Sequence, residues 1–219
     1  MPEPRCRSAS PRSGPTRLRR LRVGELPTGT VDLARFLIGA SLVSESAEGR
    51  AVVRIVETEA YVPGDAASHA FRGETARNGS LFRRCGTAYV YFIYGCYYCL
   101  NVASEREGIG AGVLVRAAEP VAGIDLMQAR RPRSTVRDLC RGPGRLATAL
   151  AVTRLHDGLD LCAPGPLWLA APQQPVPAIG ESVRIGLTKE ADRVLRFFEA
   201  GSPFVSGPRG LSGGLRRTL

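Results

Sequence analysis

Residues 50–61 read RAVVRIVETEAY, and their alternation decides the fold class. Val53, Ile55, Glu57, Glu59 and Tyr61 share one phase, and Val52, Arg54, Val56 and Thr58 share the other. A period of two belongs to a strand, and Pro63-Gly64-Asp65 ends it as a turn. Residues 87–103, TAYVYFIYGCYYCLNVA, are the most β-prone stretch of the chain. Gly95 sits where such a run would reverse, which predicts a hairpin with Tyr94 near its tip. Residues 112–117 read as a further strand. Outward from these strands, 30–43 reads as a short helix leading into a strand, with Val31, Leu33, Leu37 and Leu42 as its apolar positions. Residues 124–131 and 143–151 read as helices, the second with Leu146 and Leu150 on one face. Proline-rich connections over 163–177 lead to short strands at 182–187 and 194–199. Strands in runs with a few helices define a single mixed α/β (α+β) domain on an antiparallel sheet. The expected boundaries are a disordered basic segment at 1–20, the domain at 21–207 and a flexible basic tail at 208–219.

With 219 residues the chain supports one sizeable core, and 44% hydrophobic residues is an ordinary globular content. No apolar run approaches the 18 residues of a membrane span, and the basic N-terminus lacks the apolar segment of a secretion signal. A cytoplasmic protein with reduced thiols is expected of its six cysteines. The net charge of +10 sits in the ends: residues 1–22 hold seven arginines against Glu3, and Arg209, Arg216 and Arg217 lie in the last eleven. The part between is nearly neutral, so the tails are either phosphate-attracting or simply solvated. Within the domain, basic residues cluster at Arg72, Arg77, Arg83 and Arg84 and again from Arg130 to Arg145.

Several chemistries lack their residues. Lys189 is the sole lysine and His69 and His156 are the two histidines, and no phosphate-cradling glycine loop is present. Cys96 and Cys99 lie three apart on a strand, facing opposite sides, which disfavours a shared metal. The opening Met1-Pro2-Glu3 is that of formamidopyrimidine-type DNA glycosylases, but an Arg/Ser-rich stretch follows and their paired-cysteine finger is missing. Glu57 and Glu59, on one strand face about 6–7 Å apart, form either a solvated strand end or a pair with split acidities. Arg116, ending an apolar strand, is a surface residue, a paired one, or a partner for Glu59. Five of the six tyrosines, Tyr89, Tyr91, Tyr94, Tyr97 and Tyr98, gather in the hairpin. Cross-strand packing accounts for some of them, but a tyrosine at a hairpin tip has the form of a wedge for a base step. Tyr61, His69 and Tyr91 are suited to stack on an extruded base.

Read in order, Val56-Glu57-Thr58-Glu59-Ala60-Tyr61, His69, Thr75-Ala76-Arg77-Asn78 and Gly86 through Gly95 resemble the alkyladenine (3-methyladenine, N-methylpurine) DNA glycosylase family. Asn101, Val113 to Ala117, Gly142 to Leu146, Arg184-Ile185-Gly186 and Gly201 to Ser206 continue the resemblance over roughly residues 21–207. It implies a curved sheet with a protruding hairpin and a cofactor-free, metal-free, monofunctional enzyme of DNA repair. That enzyme flips alkylated or deaminated purines from duplex DNA and hydrolyses the N-glycosidic bond. The lesions implied are 3-methyladenine and 7-methylguanine, with hypoxanthine and ethenoadenine as further candidates.

By the same resemblance Glu59 is the general base, and Arg116 and the Ile185 backbone carbonyl position the water. Tyr61, His69, Tyr91 and Asn101 form the base pocket, Asn101 opposing the 2-amino group of guanine, and Tyr94 fills the gap in the duplex. Arg72, Arg77 and Arg145 are expected on the DNA backbone. The expected partner is damaged double-stranded DNA met by a monomer in a bacterial cytoplasm, at the nucleoid, with no membrane. The segment between Tyr61 and His69 is one residue shorter than in mammalian relatives. Gly73-Glu74 and Cys96 also depart from the family pattern, which bears on lesion range and opposite-base preference. The alternatives are a non-catalytic nucleic-acid-binding module of the same fold and a small-nucleoside glycosidase using Glu57 and Glu59.

Overall fold

A computed structural model describes residues 18–175 and 178–211. Its strands are β1 (Ser41–Ser46), β2 (Gly49–Tyr61), β3 (Ala88–Ile93), β4 (Tyr97–Ala103), β5 (Gly112–Ala122), β6 (Leu167–Ala170), β7 (Ile179–Ser182) and β8 (Arg196–Glu199). Its α-helices are α1 (Thr30–Phe36), α2 (Ile124–Arg130) and α3 (Pro143–Ala149). All eight strands join one curled antiparallel sheet whose main path runs β3-β4-β5-β2-β1-β6. The spine is β2, the strand of the RAVVRIVETEAY stretch. One of its edges pairs with β5, and the other pairs first with β1 and then, at Glu57 to Glu59, with β8, which carries β7.

The register between β2 and β5 shifts where the charged residues lie. Ile55 faces Ala118, Glu57 faces Ala117 and Thr58 faces Val115, so Val56 and Arg116 are each passed over. Such bulges sharpen the twist and re-aim side chains. On the opposite phase, the Thr58 hydroxyl donates to the Ala34 carbonyl of α1 at 2.8 Å, pinning β2 to the helix beneath it. The start of α1 is satisfied from afar, since Glu105 accepts from the Thr30 N–H at 2.9 Å and from its hydroxyl at 2.7 Å. Leu33, Leu37, Ile55, Leu100, Val115, Leu146 and Phe197 meet in the main core. Each such side chain contributes about 1.5–3 kcal/mol on burial.

The hairpin forms as the aromatic run predicts: Ile93 faces Tyr97, Tyr91 faces Cys99 and Tyr89 faces Asn101. Tyr94 (φ 53°) and Gly95 (φ 68°) make its turn in left-handed conformations, and Tyr94 is 84% exposed. Helix α3 lies close on β4, where a Cβ added at Gly144 would sit 2.9 Å from the Tyr97 ring.

Two elements differ from expectation. Within the proline-rich 163–177, Leu167 to Ala170 form β6, fully buried and paired with β1. The strand expected at 182–187 lies at Ile179–Ser182 instead. The chain leaves the sheet at once because Arg184 turns inward to an ion pair and Gly186 adopts φ 75°. At the sheet's far edge, Leu18 packs on the cluster of Val43, Val52 and Trp168, and Arg20 bridges to Ala170 with its guanidinium 4.6 Å from the Trp168 ring. The remaining parts of the expected tails, 1–17 and 212–219, lie outside the described residues.

Candidate active site

The bulged segment of β2 and β5 delivers two carboxyl groups and one guanidinium to a buried spot. Glu57 and Glu59 are both 0% exposed, and Arg116 bridges them, its Nε 3.1 Å from Glu57 and its Nη1 3.1 Å from Glu59. Glu59 also accepts the Ile185 N–H at 2.8 Å and the Tyr61 hydroxyl at 3.0 Å. Two hydrogen bonds and one ion pair thus converge on Glu59, with the Tyr61 hydroxyl among the donors. Tyr61 must then keep its proton, and burial together with the Glu59 charge pushes its phenol well above the ordinary range. Glu57 is held separately, by Arg196 Nε at 2.7 Å and the Ser206 N–H at 2.6 Å.

A cavity of ≈ 380 Å³ opens beside this cluster. Tyr61, His69, Tyr91, Asn101, Arg116 and Ile185 all line it, and Tyr94 stands at its mouth on the hairpin tip. The dimension suits a flat heterocycle of small-ligand size. One wall is a stack: Tyr91 lies on Tyr89 with centroids 5.4 Å apart, and the His69 ring meets Tyr91 edge-on at 4.4 Å. The His69 Nδ1 and Tyr89 hydroxyl are 2.9 Å apart. Burial, with Arg77 nearby, lowers the His69 pKa and favours the neutral ring. Burial raises the Tyr91 phenol and pushes that of Tyr89 up to about 12. The Asn101 Nδ2 is buried with no hydrogen-bond partner.

The structure therefore gathers Arg116, Tyr61, His69, Tyr91, Asn101 and Ile185 around one cavity, with Glu59 buried behind Arg116, Tyr61 and Ile185. Of Ile185 it is the N–H that meets Glu59. The expected backbone-contact arginines stand apart from it. Arg72 and Arg77 flank a shallower groove behind His69 and Tyr89, and Arg145 lies with Arg141, Ser206 and Arg116 around another. Cys96 is exposed in the turn while Cys99 is buried in the cavity wall, so the two thiols do not share a face. Sequence reasoning missed Arg196, Asp65 and the inward turn of Arg184; an arginine inside the apolar run Leu195 to Phe198 was the available signal for the first.

A buried, arginine-bridged carboxylate beside an aromatic-walled cavity is an arrangement suited to catalysis on a flat ligand. A family model described as Methylpurine-DNA glycosylase (MPG) matches residues 25–203, and the chain belongs to that family. Relatives named "Putative 3-methyladenine DNA glycosylase" include those of three bacteria. That of Mesorhizobium japonicum is 59% identical over 85% of this chain and 90% of its own length. That of Paraburkholderia phytofirmans is 52% identical over 85% and 88%, and that of Nitrosospira multiformis is 46% identical over 84% and 92%. The protein is a monofunctional DNA glycosylase, a hydrolase of N-glycosyl bonds in base excision repair. Among the described residues no helix is long and apolar enough to cross a membrane.

Proposed function

We propose that this glycosylase flips alkylated or deaminated purines, 3-methyladenine and 7-methylguanine first among them, from duplex DNA into the cavity and cleaves them there. Hypoxanthine and ethenoadenine complete the expected range. The observation that carries the reading is Glu59, held by Arg116, Tyr61 and Ile185 directly behind the aromatic slot. As the C1′–N bond breaks, the base departs with the bonding pair and the sugar gains oxocarbenium character. A water oxygen then bonds C1′ and its proton passes to Glu59, whose negative charge also favours the cationic sugar. Methylation at N3 or N7 leaves the purine cationic, so its departure needs little assistance, and the tyrosine faces attract it by about 0.5–2 kcal/mol. Glu59 is fully buried, so the water reaches it once Ile185 moves off the carboxylate. The Ile185 carbonyl and Arg116 then orient that water.

Tyr94, almost wholly exposed at the hairpin tip, takes the place of the extruded nucleotide. Asn101 bars the 2-amino group of normal guanine. Arg72, Arg77 and Arg145 hold the phosphate backbone, and one monomer acts on one lesion. The test is single-turnover release of free base from duplexes carrying one lesion each. Glu59→Gln is expected to bind the lesion duplex as the parent does and to release base about 10²–10⁴-fold more slowly. Release by the variant at the parent's rate would remove Glu59 from the chemistry.

A further inference from the structure

The two aromatic walls of the cavity differ in what stands behind them. Packed directly on Tyr91 are two rings, Tyr89 and His69, with Arg77 acting on both from beyond. Behind Tyr61 is a cation: the Arg184 Cζ lies 4.6 Å from the Tyr61 ring centroid. Arg184 is only 3% exposed and does not line the cavity, so it addresses the ring from the outer side. Its guanidinium is gripped by both oxygens of the fully buried Asp65, by the Ala60 carbonyl at 3.0 Å and by the Glu190 carbonyl at 3.4 Å. Asp65 in turn accepts the Ala67 N–H at 2.9 Å. The remaining charges near Tyr61 are Glu59, at its hydroxyl, and Arg116.

A cation on one face of a ring draws the π density toward itself, leaving less for a cation on the other face. Two positive groups less than about 10 Å apart in a poorly solvated site also repel directly. A neutral base feels neither effect. The paired Asp65 charge, on the far side of Arg184, cancels part of both.

We propose that Arg184, acting through Tyr61, sets how the cavity divides between cationic and neutral bases, and that Asp65 sets how much of the Arg184 charge the cavity feels. Both are specificity-determining residues that touch no substrate. The proposal rests on the glycosylase reading above, and it deepens that reading by assigning the balance between methylated and deaminated purines to a clamp outside the pocket.

The experiment measures single-turnover release from duplexes carrying one 7-methylguanine or one hypoxanthine, taken as the ratio of the two rates. Asp65→Asn keeps the Ala67 contact and uncovers the Arg184 charge, so the ratio is expected to fall about threefold or more. Asp65→Asn with Arg184→Gln removes both charges, and the ratio is expected to rise about threefold or more above the parent's. Thermal unfolding establishes that each variant is folded, and if one does not fold, the direction of change in the other decides. Rates that fall together while the ratio stays within about twofold of the parent's would make the clamp purely structural and overturn the proposal. If the parent releases neither base, the lesion range proposed above fails, and that result appears before any variant is compared.

Discussion

Three donors meet the side chain of Glu57: Arg196, Arg116 and the Ser206 N–H. Burial alone would push its carboxyl up, but the two arginines and the Ser206 N–H outweigh burial and hold it below the usual carboxylate range. Arg196, itself fully buried, also donates to the Ser182 hydroxyl and the Ser206 carbonyl, so Glu57 ties β8 and the 202–207 segment to β2. Neutralising one member of a buried ion network leaves the others uncompensated, which costs about 3–5 kcal/mol. Glu57→Gln is therefore expected to lower the urea midpoint of unfolding steeply, and an unchanged midpoint would show that the network carries no net stability. At this scale the sequence was informative where chemistry follows local period. The shared phase of Glu57 and Glu59 was legible from alternation, and so was the question of whether Arg116 reaches them. The partner Arg196 was not, because it lies 139 residues away in the chain and only the β2–β8 register brings it there.

The hairpin of β3 and β4 was the most legible element, because its aromatic run is long and a glycine marks the reversal. Its turn supports a prediction. Tyr94 is exposed and strained at positive φ, so trimming it leaves the fold intact, with a stability change within about 0.5 kcal/mol. Tyr94→Ala should nonetheless slow base release from duplex DNA by about tenfold or more, since nothing then offsets the few kcal/mol of unstacking. Equal rates for variant and parent on duplex substrate would deny the tip a role in extrusion. The short strands β6 and β7 were hard to read for a physical reason. Four-residue strands bounded by proline and glycine carry too little alternation to stand out, and their place is decided by pairing with β1 and β8.

For the whole molecule, the sheet-based fold class followed from strands outnumbering helices, while the curl depended on bulges that no local pattern announces. Its stability should fall with pH in two stages. Burial lowers the pKa of His69 and of His156, so the unfolded chain takes up these protons first and stability drops as pH falls below about 6.5. Glu57, also depressed in the fold, adds a second loss as pH falls below the ordinary carboxylate value of about 4.3 and on toward its folded value. Urea midpoints at pH 7.5, 5.5 and 4 would record both stages, and His69→Gln with His156→Gln should flatten the first. A midpoint that rises on acidification would contradict this assignment. The sheet order puts β3 and β6 at the two ends of the strand path, and the 158–161 segment bridges them through Leu161, which donates to Gly86 and accepts from Leu169. The hairpin closes one edge, while Trp168, the chain's sole tryptophan, sits on β6 at the other, between Leu18 and the Arg20 guanidinium. Its fluorescence is thus an internal gauge of how residues 18–20 pack on β6.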